Sequence, residues 1–465
     1  MTLLLMGLGV PLLLGRIAVW AFGPRHLNVF ERWALAWLLG AALLSTIMVL
    51  IGRAGLALTG AGVAWAPACV VVAFVAAGWV RQSRQRRKSP LISDTPSPQT
   101  APRLSSPSAA RMMLRLLLGL MLTSRIVWVV ADAAVVPERM TDAYENWFLR
   151  ARVIAELGRV PLDPADPFYL GGGRVSYPLG MPMLAVWPAL LRGGWDETIA
   201  HLIWPAHYVA LIALIGGWAA RRFRTDVGLP AAYLLASVPI IGVHAVRGGY
   251  ADLLLAAHLA AASLAGWEAT QSAQRRAWTA VMLANLLFCV LLKREGLPYC
   301  VLLASAAILQ RDDRSLGRRI ASALLVVLIA WLLARTADLS YVARELRGIG
   351  WRPEALPAIR QRLFTWDTWN LLWWFLTPTV AIAAFRLARR KQWLPVLHAL
   401  ALSGFVLGVF LFTDNAAFAV NGWTFDRTML QIAPTLLAMS LLGLPSRSSA
   451  HGLAGANQRN TTASA

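Results

Sequence analysis

Charge is scarce in this sequence, cysteine scarcer, and acids are outnumbered by bases. Charged side chains make up 14% of the 465 residues. A soluble globular chain carries about a quarter, so this one lacks the polar surface to keep a body of its size in water. The three cysteines, Cys69, Cys289 and Cys300, all lie in apolar runs, which excludes a disulfide-stapled scaffold. A hydrophobic content of 58% excludes a disordered chain. The seven histidines (26, 201, 207, 244, 258, 398 and 451) show no His-Glu-x-x-His spacing, so the commonest zinc-hydrolase motif is missing. No Ser/His/Asp set stands out either.

What the chain does have is apolar runs close to the ~20 residues that cross a bilayer as a helix. They fall near 3–22, 33–52, 61–80, 112–133, 199–220, 229–247, 251–268, 277–292, 297–310, 318–338, 370–387, 393–412 and 427–444. The expected fold is therefore an all-α polytopic membrane protein with about thirteen transmembrane helices. The first run lacks a basic leader and a small-residue cleavage site, so it reads as a span rather than a signal peptide.

The 44 Lys and Arg against 23 Asp and Glu leave a net charge of +21. In a soluble protein that excess would suggest nucleic acid, but no nucleic-acid-binding motif accompanies it. Basic residues instead collect in cytoplasmic loops of membrane proteins. Between Arg81 and Arg115 stand Arg84, Arg86, Arg87, Lys88, Arg103 and Arg111, with Asp94 as the one acid. The Ser/Pro-rich part of this stretch reads as a cytoplasmic linker. Arg221–Arg224, Arg275–Arg276, Arg311–Arg319 and Arg386–Lys391 join it on that side if segment 176–194, broken by Pro178, Pro182 and Pro188, is re-entrant or interfacial. The expected domains are an N-terminal three-helix segment (1–80), the basic linker (81–111), a main membrane domain (112–444) and a disordered cytoplasmic tail (445–465).

This topology sends loop 134–198, junctions 248–252 and 293–296, and loops 339–369 and 413–426 to the outer face, together with the chain's most notable polar residues. The first loop opens Thr141-Asp142-Ala143-Tyr144-Glu145-Asn146-Trp147-Phe148. At 100° per residue, Tyr144, Trp147, Phe148, Ala151, Ile154 and Ala155 share one face, and Asp142, Glu145, Asn146, Arg152 and Glu156 the other. Such a helix would lie on the membrane with its aromatics down and two carboxylates up. Equally, Asp142 and Glu145 have the spacing of a helix capping box.

Next comes Gly171-Gly172-Gly173-Arg174-Val175-Ser176-Tyr177-Pro178, a Gly-rich approach with no phosphate-loop context. Tyr250-Ala251-Asp252 breaks two apolar runs, where Asp252 is either functional or a helix cap. Lys293-Arg294-Glu295-Gly296 suits an anionic ligand, or else forms a snorkelling turn with a local ion pair. Arg427 could fork onto a phosphate, or pair with Asp426 or Asp414. Trp366, Trp369, Trp373 and Trp374 read as an interfacial belt.

In this order, Asp142, Tyr177-Pro178, Tyr250-Ala251-Asp252, Lys293-Arg294-Glu295-Gly296 and Asp426-Arg427 resemble the integral-membrane glycosyltransferases of the GT-C superfamily over roughly residues 112–435. That group includes protein O-mannosyltransferases and the aminoarabinose transferases of lipid A. The resemblance implies a long first outer loop with amphipathic helices, and a polyprenyl-phosphate sugar donor. It also implies a glycan, lipid or protein acceptor, and a periplasm-facing site in the bacterial inner membrane.

By the same resemblance Asp142 would be the general base, and Lys293 and Arg427 would hold the phosphate. Asp252 and Glu295 would orient substrate or bind a divalent cation (Mg or Mn). Arg294, Tyr177 and Tyr250 join the substrate-binding set. Ala143 stands where many relatives carry a second acid, which makes Glu145 the nearest substitute. The competing function is a transporter or flippase for a lipid-linked amphiphile, which needs midplane polar residues and repeated spans. A third possibility is a non-catalytic membrane scaffold.

Overall fold

The computed structural model describes residues 2–88, 108–136, 141–223, 225–310, 315–336, 348–422 and 424–445. The Ser/Pro-rich part of the expected linker, nearly all of the expected tail and most of the Arg311–Arg319 cluster's start lie outside them. Among the described residues every regular element is helical. The helices are α1 (Thr2–Phe22), α2 (Val29–Arg53), α3 (Gly60–Lys88), α4 (Ala109–Val135), α5 (Phe148–Leu157), α6 (Gly180–Arg192), α7 (Glu197–His201), α8 (Ile203–Arg222), α9 (Thr225–Ala236), α10 (Pro239–Val246), α11 (Asp252–Gln271), α12 (Arg275–Leu292), α13 (Gly296–Leu309) and α14 (Leu316–Thr336). They continue with α15 (Ala355–Phe364), α16 (Leu372–Arg389), α17 (Trp393–Phe412), α18 (Ala416–Asn421) and α19 (Thr424–Leu442).

Among the described residues, each of the thirteen expected apolar runs overlaps helix. Seven stretches are long and apolar enough to cross a membrane: α2, residues 62–81 of α3, α4, α7 with α8, α11, α12 and α17. The pair α9 and α10 makes an eighth if it counts as one span bent by 66°. The bend follows from Pro239, which has no N–H to continue α9 and instead starts α10 at its first position. On α4, Met113, Leu116 and Leu120 are exposed, an apolar face suited to lipid rather than water. This is a multi-pass α-helical membrane protein.

Charged residues gather at two ends. At one, Arg221 bonds Glu31 (2.8 Å) and Glu268 (3.2 Å), while Arg222 reaches Glu268 (3.2 Å). At the other, α11 starts with Asp252. Sixteen residues of helix separate Asp252 from Glu268, about 24 Å at 1.5 Å per residue.

Helices α1 and α2 belong to the same continuous core as the later helices. Asn28 caps α2 in a capping box with Glu31 and also donates to the Gly217 carbonyl of α8 (2.7 Å), while Ser45 donates to Gly180 of α6 (2.6 Å). Helix α6 has only 13 residues, about 20 Å, and so is too short to cross. It is not laid on a surface, however: Met181 to Ala189 are buried, and Trp187 donates to the Gly7 carbonyl of α1 (3.2 Å).

Candidate active site

The segment after α4, expected to form an amphipathic surface helix, begins with a π-helical turn, Ala143–Trp147, before α5. The wider turn shifts the side-chain phase, so Asn146 and Arg150 are buried along with Trp147, Phe148, Ala151 and Ile154, while Tyr144 is exposed. The aromatics face protein rather than lipid: Trp147 stacks on Tyr177 at 4.8 Å, and Phe148 packs edge-on against Trp204 at 5.3 Å. Gly171, Gly172 and Gly173 all have positive φ. At Gly173 a Cβ would lie 3.0 Å from the Glu145 carbonyl oxygen, so the triple glycine is a tight wrap around the π turn rather than a loose approach.

Asp142 makes no helix-capping bond. Its carboxylate instead accepts from Asn146 Nδ2 (2.7 Å) and from Arg427 Nη2 (3.1 Å) across 285 residues of chain. Asn146 is held in turn by the Arg174 backbone N–H, which donates to its Oδ1 (2.9 Å). Glu145 is exposed and makes no hydrogen bond or ion pair with the other described residues. The two acids of the first loop therefore have different environments, and Asp142 alone joins the cluster.

Asp252 does not cap α11 either: Ala251 holds the N-cap position, and no side chain caps there. The Asp252 carboxylate is fully buried and accepts from Lys293 Nζ (2.7 Å), Gln431 Nε2 (2.6 Å) and Arg427 Nε (3.0 Å). Arg427 thus uses two nitrogens of its guanidinium to bridge Asp252 and Asp142, a geometry a lysine could not reproduce. Its Cζ sits 3.9 Å from the centre of the Tyr250 ring. Tyr250 is itself anchored by Trp204, whose indole N–H donates to the Tyr250 carbonyl (2.7 Å). Behind Gln431, the Tyr299 hydroxyl donates to Oε1 (3.0 Å).

Lys293 is buried where the backbone leaves α12 in an extended conformation. The turn into α13 is tight enough that a Cβ on Gly296 would lie 1.8 Å from the Cys289 carbonyl oxygen. Glu295 closes on the Lys293 ammonium (2.9 Å). Burial works against the lysine's charge, but the Asp252 and Glu295 carboxylates outweigh it and hold its pKa above the ordinary lysine value. With two of its three N–H donors on those carboxylates, Lys293 serves first to neutralise Asp252. The cations nearer the rim lie around Tyr177: Arg294 Cζ sits 4.8 Å and Arg174 Cζ 6.0 Å from that ring centre.

The expected partners of Arg427 are taken by others. Asp426 pairs with buried Arg362 (2.7 Å) and accepts from the Trp369 indole (3.0 Å), and Asp414 pairs with Arg352 (2.6 Å). The expected Trp belt divides accordingly. Trp366 and Trp374 are exposed, but Trp369 and Trp373 are core residues. A cavity of about 600 Å³ between α9, α16 and α19 is lined in part by Trp369, and its wall residues Leu371 and Phe375 are exposed.

Sequence reasoning missed Gln431, Arg362 and Arg150. Gln431 stands one helical turn after Arg427, a spacing that marks a shared face. Arg150 is fully buried, bonds only the Leu170 and Tyr177 carbonyls (3.1 and 2.7 Å), and leaves Nη2 without a partner. Burial, with Arg53 nearby, pushes its pKa down to about 10. Its burial came from the π turn, which carries no sequence signal.

A run of ionic contacts therefore joins Asp142, Arg427, Asp252, Lys293 and Glu295, drawn from the first loop, α11, the α12–α13 junction and α19. No group of three or more His, Cys, Asp or Glu able to hold a metal occurs among the described residues. The carboxylates of Asp252 and Glu295 are already both paired with Lys293 (2.7 and 2.9 Å), so this donor set does not fit the divalent cation the resemblance implies. No family model matches the chain, and neither a curated protein nor a solved structure does so.

Proposed function

We propose that the chain is a membrane glycosyltransferase that moves a sugar from a polyprenyl-phosphate donor to an acceptor hydroxyl, with inversion at the anomeric carbon. One observation carries this reading: Asp142, Asp252, Lys293 and Arg427, distant in sequence, meet in one ionic cluster at the outer end expected from the charges. A carboxylate beside a forked cation is what this transfer needs. The departing phosphate already leaves well, so the protein has to remove the acceptor's proton and stabilise the growing negative charge.

Burial divides the roles. Asp252, fully enclosed with three donors on it, is a positioning residue that sets Lys293 and Arg427. Asp142, half-buried at the mouth, is the base. Its bond to Arg427 makes it substrate-gated: the incoming phosphodiester competes for the guanidinium, and the released carboxylate turns to the acceptor. The acceptor oxygen then bonds to the anomeric carbon as its proton passes to Asp142. The carbon–oxygen bond to phosphate breaks, and its electron pair leaves with the polyprenyl phosphate next to Arg427 and Arg294. The apolar cleft lined in part by Trp369 offers a path for the lipid tail.

The test is transfer from lipid-phosphate sugars by the purified full-length protein. Asp142→Asn is expected to keep its fold, shown by unchanged thermal unfolding, and to lose at least about a hundredfold in turnover, the low end of general-base catalysis. Near-normal turnover would remove Asp142 from the mechanism. Movement of intact donor across vesicles without transfer would favour a flippase instead.

A further inference from the structure

A second cavity, of about 860 Å³, lies at the opposite end, between α11, α12, α13, α14 and α17. Gln271, on its wall, is 19 residues along α11 from Asp252, about 28 Å, so the two sites share no side chain. Arg275 and Lys391 line it, while its deeper wall includes Met282, Ala304 and Leu394. Arg275 is the first residue of α12, and Lys391 precedes Gln392, the N-cap of α17. Two helix N-termini, each with positive partial charge, thus add to the two cations.

The cavity is polar at one end and apolar within, and Leu283 on its wall is exposed on the outer face of α12, where acyl chains would continue into the bilayer. On the same wall the Gln310 side-chain oxygen is buried with no hydrogen-bond partner. A buried acceptor of that kind calls for a donor, such as a headgroup hydroxyl.

We infer that this cavity binds an anionic phospholipid with a hydroxyl-bearing headgroup, its phosphate held by Arg275 and Lys391 and its chains lying along Met282, Ala304 and Leu394. Basic pockets between helices are the recurrent solution for anionic headgroups. The inference is independent of the transferase reading.

The experiment uses the full-length protein, delipidated in detergent, and follows thermal unfolding as dioleoyl phosphatidylglycerol, dioleoyl phosphatidylcholine or inorganic phosphate is added. Phosphatidylglycerol is expected to raise Tm saturably, and the other two to leave it unchanged. At about 1 kcal/mol per basic group, Arg275→Gln with Lys391→Gln should weaken phosphatidylglycerol binding roughly thirtyfold. Lys391 is exposed, so Lys391→Gln alone should fold normally and weaken binding about fivefold. Equal stabilisation by phosphatidylcholine, a full effect from phosphate alone, or unchanged phosphatidylglycerol affinity in Lys391→Gln would each overturn the assignment.

Discussion

Replacing Asp252 by asparagine tests the buried cluster directly. The substitution keeps the shape of the side chain but removes the anion to which Lys293 and Arg427 are both bonded, at 2.7 and 3.0 Å. Breaking a buried pair by removing one partner costs about 3–5 kcal/mol. Here each cation retains a second carboxylate, Glu295 at 2.9 Å for Lys293 and Asp142 at 3.1 Å for Arg427, so the lower end, about 3 kcal/mol, is expected. Lys293→Met should cost a similar amount, because it leaves Asp252 with Arg427 and Gln431 alone.

The double variant leaves neither of these two charges facing a missing partner. It should therefore lose about 3 kcal/mol rather than 6, a coupling of about 3 kcal/mol and the upper end for residues in contact. Reversible unfolding in mixed micelles, followed through the fluorescence of the chain's 21 tryptophans, measures all four corners of the cycle. Losses that add to within about 0.5 kcal/mol would show that Asp252 and Lys293 do not interact, and the cluster as described would fall.

Lys293 also predicts a pH effect. Its folded pKa lies above the ordinary lysine value of 10.5, so its stabilisation is fully present below that pH and is lost as pH rises through the folded value. The stability difference between the wild type and Lys293→Met should stay flat from neutral pH to about 10 and shrink above it, and a difference that grows with alkali would contradict the pairing. Gly296→Ala would force the end of α12 away from its added methyl, and overpacking of this kind costs about 1–3 kcal/mol. Because Lys293 sits in the same turn, transfer should fall with it, and a variant matching wild type in both unfolding and transfer would show that the turn relaxes freely.

Much of this is legible in the sequence. Apolar runs of bilayer length mark helices because hydropathy and helical period are local properties, and basic residues mark one end because unpaired charge avoids the membrane interior. Asp142, Asp252, Lys293 and Arg427 could be singled out as polar residues at the ends of apolar runs. Which acid meets which base was not legible. Asp142 had Glu145 three residues away and Arg427 had Asp426 beside it, and local spacing favoured caps and neighbouring pairs. The fold instead gave Asp426 to Arg362 and sent Arg427 to two acids far along the chain.

By itself, then, the sequence determined that the chain is a multi-pass helical protein with its charges sorted to the ends of its helices. Only tertiary structure decided that α1 and α2 belong to the common core, that a π turn rotates Asn146 and Arg150 inward, and that five charged side chains form one connected cluster. The reason is physical. Propensity and hydropathy are settled within a few residues, whereas a choice among chemically equivalent partners is made by the packing that brings distant segments within 3 Å of one another.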